Sequence, residues 1–350
     1  MTDTPAVARR LPAEWEPQSG VQLTWPHPGT DWATRLAAVE SVFAAIGAAI
    51  ARRESLLVVC RDTDHRAHVL TRLTEVGADL DRVQLGIAPA DDTWARDHGP
   101  ITVIDRGQPL LLDFEFNGWG GKFPAERDNL LTRTLAAQGR FGTVPVQHLD
   151  LVLEGGSIES DGAGTLLTTS QCLLTPTRNP GLGRDAIERR LREYLGVERV
   201  LWLDHGYLEG DDTDGHIDTL ARFCSPDTIA FVRCDDASDP QHPGLARMRE
   251  QLSGFRTAAG EPYRLLPLPL PSPIVVDGRR LPATYANFLV INDAVLVPVY
   301  ADPADAAALE GIRTAFPDRS VVGIDCSELI RQGGSLHCLT MQFPAGVLPH

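Results

Sequence analysis

Cys338 lies near the C-terminus in Gly333-Gly334-Ser335-Leu336-His337-Cys338-Leu339-Thr340-Met341, a polar, glycine-rich approach that a core strand would not need. Two glycines allow close backbone approach. The segment reads as a strand whose alternation Leu336, Cys338, Thr340 turns the thiol away from His337. His337 is then a poor local base, and a reactive Cys338 must find its proton acceptor elsewhere in the chain. Free cysteine is among the most buried residue types, and Cys60, Cys172, Cys224, Cys234 and Cys326 each sit in or beside an apolar run, as core residues do. Cys338 is therefore the candidate nucleophile.

Three other polar clusters could serve it. They are Asp91-Asp92-Thr93-Trp94-Ala95-Arg96-Asp97-His98-Gly99-Pro100, then Glu154-Gly155-Gly156 after an apolar strand, then Asp211-Asp212-Thr213-Asp214-Gly215-His216-Ile217-Asp218. His216 and Asp218, two apart in a strand, would project from one face. Asp211 and Asp212 read better as a solvated acidic turn, and Trp94 fits a core position as well as a ligand wall. Aspartate and histidine at this spacing are also metal-ligand types, but the further spacing of a dedicated site is missing. No metal and no cofactor are expected.

The elements that must position these groups form a repeat: a polar or glycine-containing start, an apolar strand, a turn and a second apolar strand. The pattern runs over 99–116, 156–174, 216–233 and 287–300, turning at Asp105-Arg106-Gly107, Asp161-Gly162-Ala163-Gly164, Ser225-Pro226-Asp227 and Asn292-Asp293. Apolar residues recurring at three and four mark helices over 32–53, 126–138, 183–195, 243–252 and 304–316, and a short strand follows each one, at 56–60, 144–149, 200–203, 263–268 and 320–324. About five hairpin-helix-strand units recur at intervals of roughly 55 to 70 residues. A ring of such units would bury each sheet against its neighbours and leave one end as a shared cleft. An open α/β sheet with inserted hairpins is the alternative, but no GxGxxG stands in a dinucleotide-binding context. The run Pro267, Pro269, Pro271, Pro273 reads as an edge segment or rim loop, so residues 1–350 are taken as one domain.

At 350 residues, 43% hydrophobic and 23% charged, the chain has the composition of a folded globular protein. A net charge of −15 with no basic cluster argues against nucleic acid as a partner. Met1–Glu16 lacks the apolar core of a secretion signal, and the apolar stretch 42–51 is too short to span a bilayer and reads as one buried helix. A soluble, cytoplasmic chain with reduced thiols and no membrane partner follows.

A thiol, a histidine and several carboxylates fit attack on a cationic, electron-poor carbon. Paired carboxylates can grip one planar guanidinium and fix its carbon. The substrate cation and a protonated histidine would both favour the thiolate.

Taken in order, the motifs Glu14-Trp15-Glu16-Pro17, Trp94 to Pro100, Phe116-Asn117-Gly118-Trp119-Gly120-Gly121-Lys122, Glu154-Gly155-Gly156, Asp214 to Asp218 and His337-Cys338 cover nearly the whole chain. They resemble the agmatine deiminases and bacterial-type peptidylarginine deiminases of the pentein α/β-propeller fold. The resemblance implies Cys338 as nucleophile, His216 as general acid/base and Asp97 and Asp218 as guanidinium clamps. It further implies Glu154 as the carboxylate pairing with substrate and supporting His216, and Trp94 as an aromatic wall. The implied reaction passes through an S-alkylthiouronium to a ureido product, with a small cationic guanidino compound, agmatine first, as substrate. Members commonly form homodimers or larger assemblies, so a homo-oligomer is expected.

One departure stands out. Where agmatine deiminases read Gly-Gly-Gly-Asn-Ile-His-Cys, this chain has 332–338 as Gln-Gly-Gly-Ser-Leu-His-Cys. Ser335 is therefore expected to set the hydrogen bonding beside the substrate. Other readings are a deiminase of peptidyl arginine or another guanidino compound, an amidinotransferase, and a non-catalytic guanidino-binding protein. Gly118, Gly120 and Gly121 mark a candidate lid or a plain turn.

Overall fold

The structure, a computed structural model, describes residues 9–349. The first eight residues, half of the stretch read for a secretion signal, lie outside them. Five sheets share one construction, an antiparallel pair followed through a helix by a parallel third strand. In the second module Ile101–Asp105 pairs with Gln108–Glu115, which pairs in parallel with Val146–Val152. The third uses Ile158–Ser160, Thr165–Thr169 and Arg199–Leu203. The fourth uses Ala221–Ser225, Thr228–Arg233 and Arg264–Pro269, and the fifth Leu289–Ile291, Ala294–Val299 and Ser320–Asp325.

Turn chemistry sets these hairpins. Arg106 and Gly107 both adopt positive φ, 52° and 80°, between paired residues Asp105 and Gln108; this is the primed turn that matches strand twist. The proline-rich strand Arg264–Pro269 is at a sheet edge, where a missing N–H leaves no ladder bond unmade.

The first module is assembled from both chain ends. Gln18–Thr24 pairs antiparallel with Thr340–Pro344 and parallel with Ser55–Cys60. The alternation reading missed that closure, because the pairing partners are more than 300 residues apart. It also missed the helix Thr63–Glu75 and the strand Val83–Ile87, which add a fourth strand to this sheet. The helical run Ala33–Ala51 is 19 residues, with the length and composition a membrane crossing would need. It is longer than the apolar stretch 42–51, because Leu36 to Val39 extend it. Here it links two parallel strands and buries Phe43, Ile46 and Ile50 in the core.

Neighbouring modules are stitched in a closed circuit. Ile87 N–H donates to Gln138 Oε1 at 3.1 Å, joining the first module to the second. Asn179 Nδ2 donates to Val152 O at 2.9 Å, second to third; Gln251 Nε2 to Trp202 O at 2.8 Å, third to fourth; Thr284 Oγ1 to Thr219 O at 3.0 Å, fourth to fifth. Gln18 Nε2 closes the ring on Val290 O at 2.9 Å.

A charged cluster lies where the modules converge. Arg222, fully buried, donates to Glu159 Oε2 at 2.6 Å, Glu14 Oε2 at 2.8 Å and Phe288 O at 2.6 Å, and its guanidinium lies 4.7 Å from the Phe288 ring. Removing one partner from a buried ion cluster strands the others without solvation. Arg222→Ala should therefore lower stability by about 3–5 kcal/mol, read as a drop in the urea midpoint with little change in slope; an unchanged midpoint would show that the cluster carries no net stability.

Candidate active site

Each module delivers a polar group at the start of its hairpin, and these starts meet at one end of the ring. Asp97 is on the short helix Ala95–His98, Glu154 precedes the turn Gly155–Ser157, and His216 caps the turn Ile217–Thr219 that carries Asp218. Neither His216 with Asp218 nor Cys338 lies in a strand. Cys338 lies in the turn 336–339, closed by Thr340 N–H to His337 O at 3.0 Å, before the strand Thr340–Pro344 begins. The period-2 argument for both segments is thus replaced by tight turns, which bring the side chains together by a different route.

Gly156 explains why the Glu154 segment needs glycine. A Cβ there would lie 2.5 Å from His216 Nδ1, 2.8 Å from Asp97 Oδ1 and 3.2 Å from Asp218 Oδ2, so the backbone itself fills the space among three site residues. A Cβ on Gly334 would meet the Trp94 ring at 2.3 Å, and Trp94 and Cys338 line one cavity of about 260 Å³ with Asp97, Trp119, Asp92 and Asp212.

The Cys338 sulfur is 3.3 Å from Asn287 Nδ2 and 3.8 Å from Asp218 Oδ2. Burial and the carboxylates Asp218 and Asp97 push its thiol well above the usual value, so at rest it is protonated. A cation placed among those carboxylates reverses that balance.

His216 has no exposed surface, and its Nδ1 is 3.5 Å from Asp97 Oδ1. Burial alone would lower its pKa, but Asp97, Cys172 and Glu154 raise it well above normal, which makes it an imidazolium able to donate. Asp97 Oδ1 accepts from Gly156 N–H at 3.1 Å and Oδ2 from Trp119 Nε1 at 2.9 Å; burial pushes its carboxyl up to about 6. Burial would raise the Asp218 carboxyl, yet His337 and His216 hold it below its ordinary value.

His337 is unavailable to Cys338, though not for the reason alternation gave. Its Nδ1 lies 2.7 Å from Asp218 Oδ2 and its Nε2 2.7 Å from Glu14 Oε2, so both ring nitrogens are engaged. Ser335 holds its buried hydroxyl 3.0 Å from Tyr300 Oη; like Glu154, His216 and Asp218, it is not among the residues that line the cavity.

Three residues that sequence reasoning passed over act here. Asn287 Oδ1 accepts from the backbone N–H of His337 at 2.9 Å and of Cys338 at 3.3 Å, fixing the turn. Its signal was present: it starts the fifth hairpin, as Asp97, Glu154 and His216 start theirs. Trp119 sits at φ 55° between glycines within a motif already noted. Arg178 donates to Glu154 Oε1 at 2.9 Å and to Thr213 O at 2.9 Å, and pairs with Asp214; nothing in its sequence surroundings marks it. The glycine segment 118–121 is an anchored turn, tied down by Lys122 Nζ, 2.6 Å from Asp212 O and 2.8 Å from Asp214 Oδ1, and its Trp119 lines the cavity.

A five-module ring that gathers a thiol, a histidine and carboxylates at one end defines a guanidino-group-modifying enzyme of the pentein class. The family model of the Porphyromonas-type peptidyl-arginine deiminases matches residues 10–344, and the chain belongs to that family. Agmatine deiminase of Pseudomonas aeruginosa (strain LESB58) is 36% identical, with 98% of each chain covered. A structure from Porphyromonas gingivalis, described as a candidate arginine deiminase, is 52% identical with a TM-score of 0.92, covering 97% of this chain and 100% of that one. A serine-for-cysteine variant of agmatine deiminase from C. jejuni, with substrate bound, is 34% identical with a TM-score of 0.89 and 97% of each chain covered.

The Asp97 carboxyl should set the acidic limb of the pH profile. Below about 6 it is protonated and loses its charge toward a cationic substrate, so kcat/KM falls as pH drops through that value. Trp119→Phe removes the indole donor to the ionised form. It should move the limb to higher pH and lower kcat/KM at pH 6 by roughly tenfold, with a much smaller loss at pH 8; equal losses at both pH values would contradict this role.

Proposed function

We propose that the chain hydrolyses the guanidinium C–N bond of agmatine, giving N-carbamoylputrescine and ammonia. One observation carries this reading: two buried carboxylate oxygens of the site, Glu154 Oε2 and Asp218 Oδ1, have no hydrogen-bond partner. Buried polar groups are ordinarily satisfied. A planar guanidinium carries N–H donors for the two carboxylate oxygens and a positive charge that offsets their burial, and it presents its carbon to the sulfur.

The reaction balances in two halves. The substrate cation favours loss of the Cys338 proton to solvent, and the thiolate adds to the guanidinium carbon. The imidazolium of His216 protonates a terminal nitrogen, the C–N bond breaks, ammonia leaves, and an S-alkylthiouronium remains on Cys338. Water then attacks the same carbon, giving one proton to neutral His216 and the other to solvent, and the C–S bond breaks to return the thiolate. Trp94 and Trp119 offer aromatic surface in the cavity to the cation.

Agmatine is a dication, and the cavity's carboxylates Asp31, Asp92 and Asp212 suit its terminal ammonium. Burial pushes the Asp92 carboxyl up to about 7, a strain that a nearby cation relieves. A second reading rests on Arg279 and Arg331 in the same wall, which would suit the carboxylate of arginine or a peptide. A cytoplasmic location and a homo-oligomeric state belong to the same proposal. The former is supported by six free cysteines, as in a reducing compartment; sedimentation tests the latter.

The test is ammonia and ureido-product release from agmatine, arginine and a peptidyl arginine. Agmatine should give the highest kcat/KM by at least about 100-fold, about 3 kcal/mol of discrimination, and Cys338→Ala should abolish turnover of each. Preference for arginine would shift the assignment to Arg279 and Arg331; turnover by the alanine variant would remove Cys338 as nucleophile. Tight binding of agmatine with no product at any pH would make the chain a binding protein.

A further inference from the structure

Cys172 forms no bond to substrate in the reaction, yet this thiol lies within the site and helps hold His216 in its charged form. It is on the short helix Ser170–Leu173, and Thr169 fixes it there: Thr169 Oγ1 accepts from Cys172 N–H at 3.2 Å and donates to Gly215 O at 2.7 Å. One hydroxyl thus ties the thiol's helix to the His216 segment. Ligand atoms of Glu154, Cys172 and His216 all lie within 4.8 Å of one another, and all three residues have no exposed surface. Glu154 Oε2 lacks a hydrogen-bond partner, while Glu154 Oε1 is held by Arg178.

We infer that Glu154, Cys172 and His216 form a site for a borderline-soft divalent cation of the Zn²⁺ class, and that its occupation shuts the enzyme off. Carboxylate oxygen, thiolate and imidazole are the donors zinc takes, and three protein ligands leave a fourth position to water. Tetrahedral bond lengths place sulfur and nitrogen ligands roughly 3.6 Å apart, so the cluster need contract by only about 1 Å. Binding releases one proton from the Cys172 thiol and one from the His216 imidazolium, since each must offer a lone pair to the metal. The inhibitory consequence rests on the proposed role of His216, because a metal-bound imidazole has no proton to give the departing nitrogen and Glu154 is no longer free for a guanidinium. The metal site itself does not depend on that reading.

Cobalt(II) is the probe. The Cys338→Ala protein, which lacks the catalytic thiol, should bind one Co²⁺ per chain with tetrahedral d–d bands and a thiolate-to-cobalt charge-transfer band. Cys338→Ala/Cys172→Ser should lose that charge-transfer band; its persistence at full strength would overturn the site, whatever the substrate proves to be. In the chain with Cys338 intact, Zn²⁺ should inhibit reversibly, with activity restored by chelator, and Cys172→Ser should need at least tenfold more Zn²⁺ for half-inhibition. Unchanged zinc sensitivity would place the inhibition elsewhere. Should Cys172→Ser fail to fold, Glu154→Gln in the Cys338→Ala background keeps the charge-transfer band and weakens cobalt binding by at least tenfold; undiminished affinity would also contradict the assignment.

Discussion

Arg222 is the cation around which the ring is assembled. From the fourth module it holds Glu14 of the first, Glu159 of the third and a carbonyl of the fifth. Glu14 passes the connection to His337, and His337 to Asp218, so the nucleophile turn and one carboxylate are fixed from beneath by the same cluster. Arg96 adds a second buried guanidinium, with its backbone N–H on Cys338 O at 3.1 Å. Positive charge below allows negative charge above. The carboxylates that surround the thiol persist because these guanidiniums partly compensate for their burial.

The compensation is incomplete on the cavity side, and that incompleteness is the functional feature. Asp97 and Cys338 are both held toward their protonated forms by burial and by each other's neighbours, while His216 is held toward its charged form. The resting protein therefore keeps a protonated thiol and a protonated imidazole in one site. A substrate cation lowers the cost of every negative charge in the site at once, so activation and binding are the same electrostatic event. Neutral analogues would gain neither.

Much of the fold was legible because its units are local. Hairpin turns such as Arg106-Gly107 and Asn292-Asp293, and helices such as Arg184–Leu195 and Asp305–Ala315, follow from turn chemistry and apolar spacing within a few residues of where they were expected. The closure of Gln18–Thr24 on Thr340–Pro344 was not, because nothing local records a partner at the other end of the chain. The grouping of the site was legible in residue identity, since His216, Asp218 and Asp97 meet around Gly156 and Cys338 lies 3.8 Å from Asp218. It was less so in conformation, because strand alternation was applied to segments that are turns. Ser335 was singled out by comparison with the family motif, and its position in sequence gave no hint that the hydroxyl meets Tyr300. Arg178 could not have been found, because its role exists only where a loop of the third module meets the start of the fourth.

The central claim is that Cys338 becomes covalently bonded to the guanidinium carbon during turnover. Acid quench of the enzyme within its first turnovers of agmatine, followed by peptide mass mapping, tests it most directly. The expected result is a transient adduct on the Cys338 peptide with the mass of agmatine less ammonia, formed no more slowly than product. Steady turnover with no such adduct, or an adduct on Cys172 instead, would contradict the account.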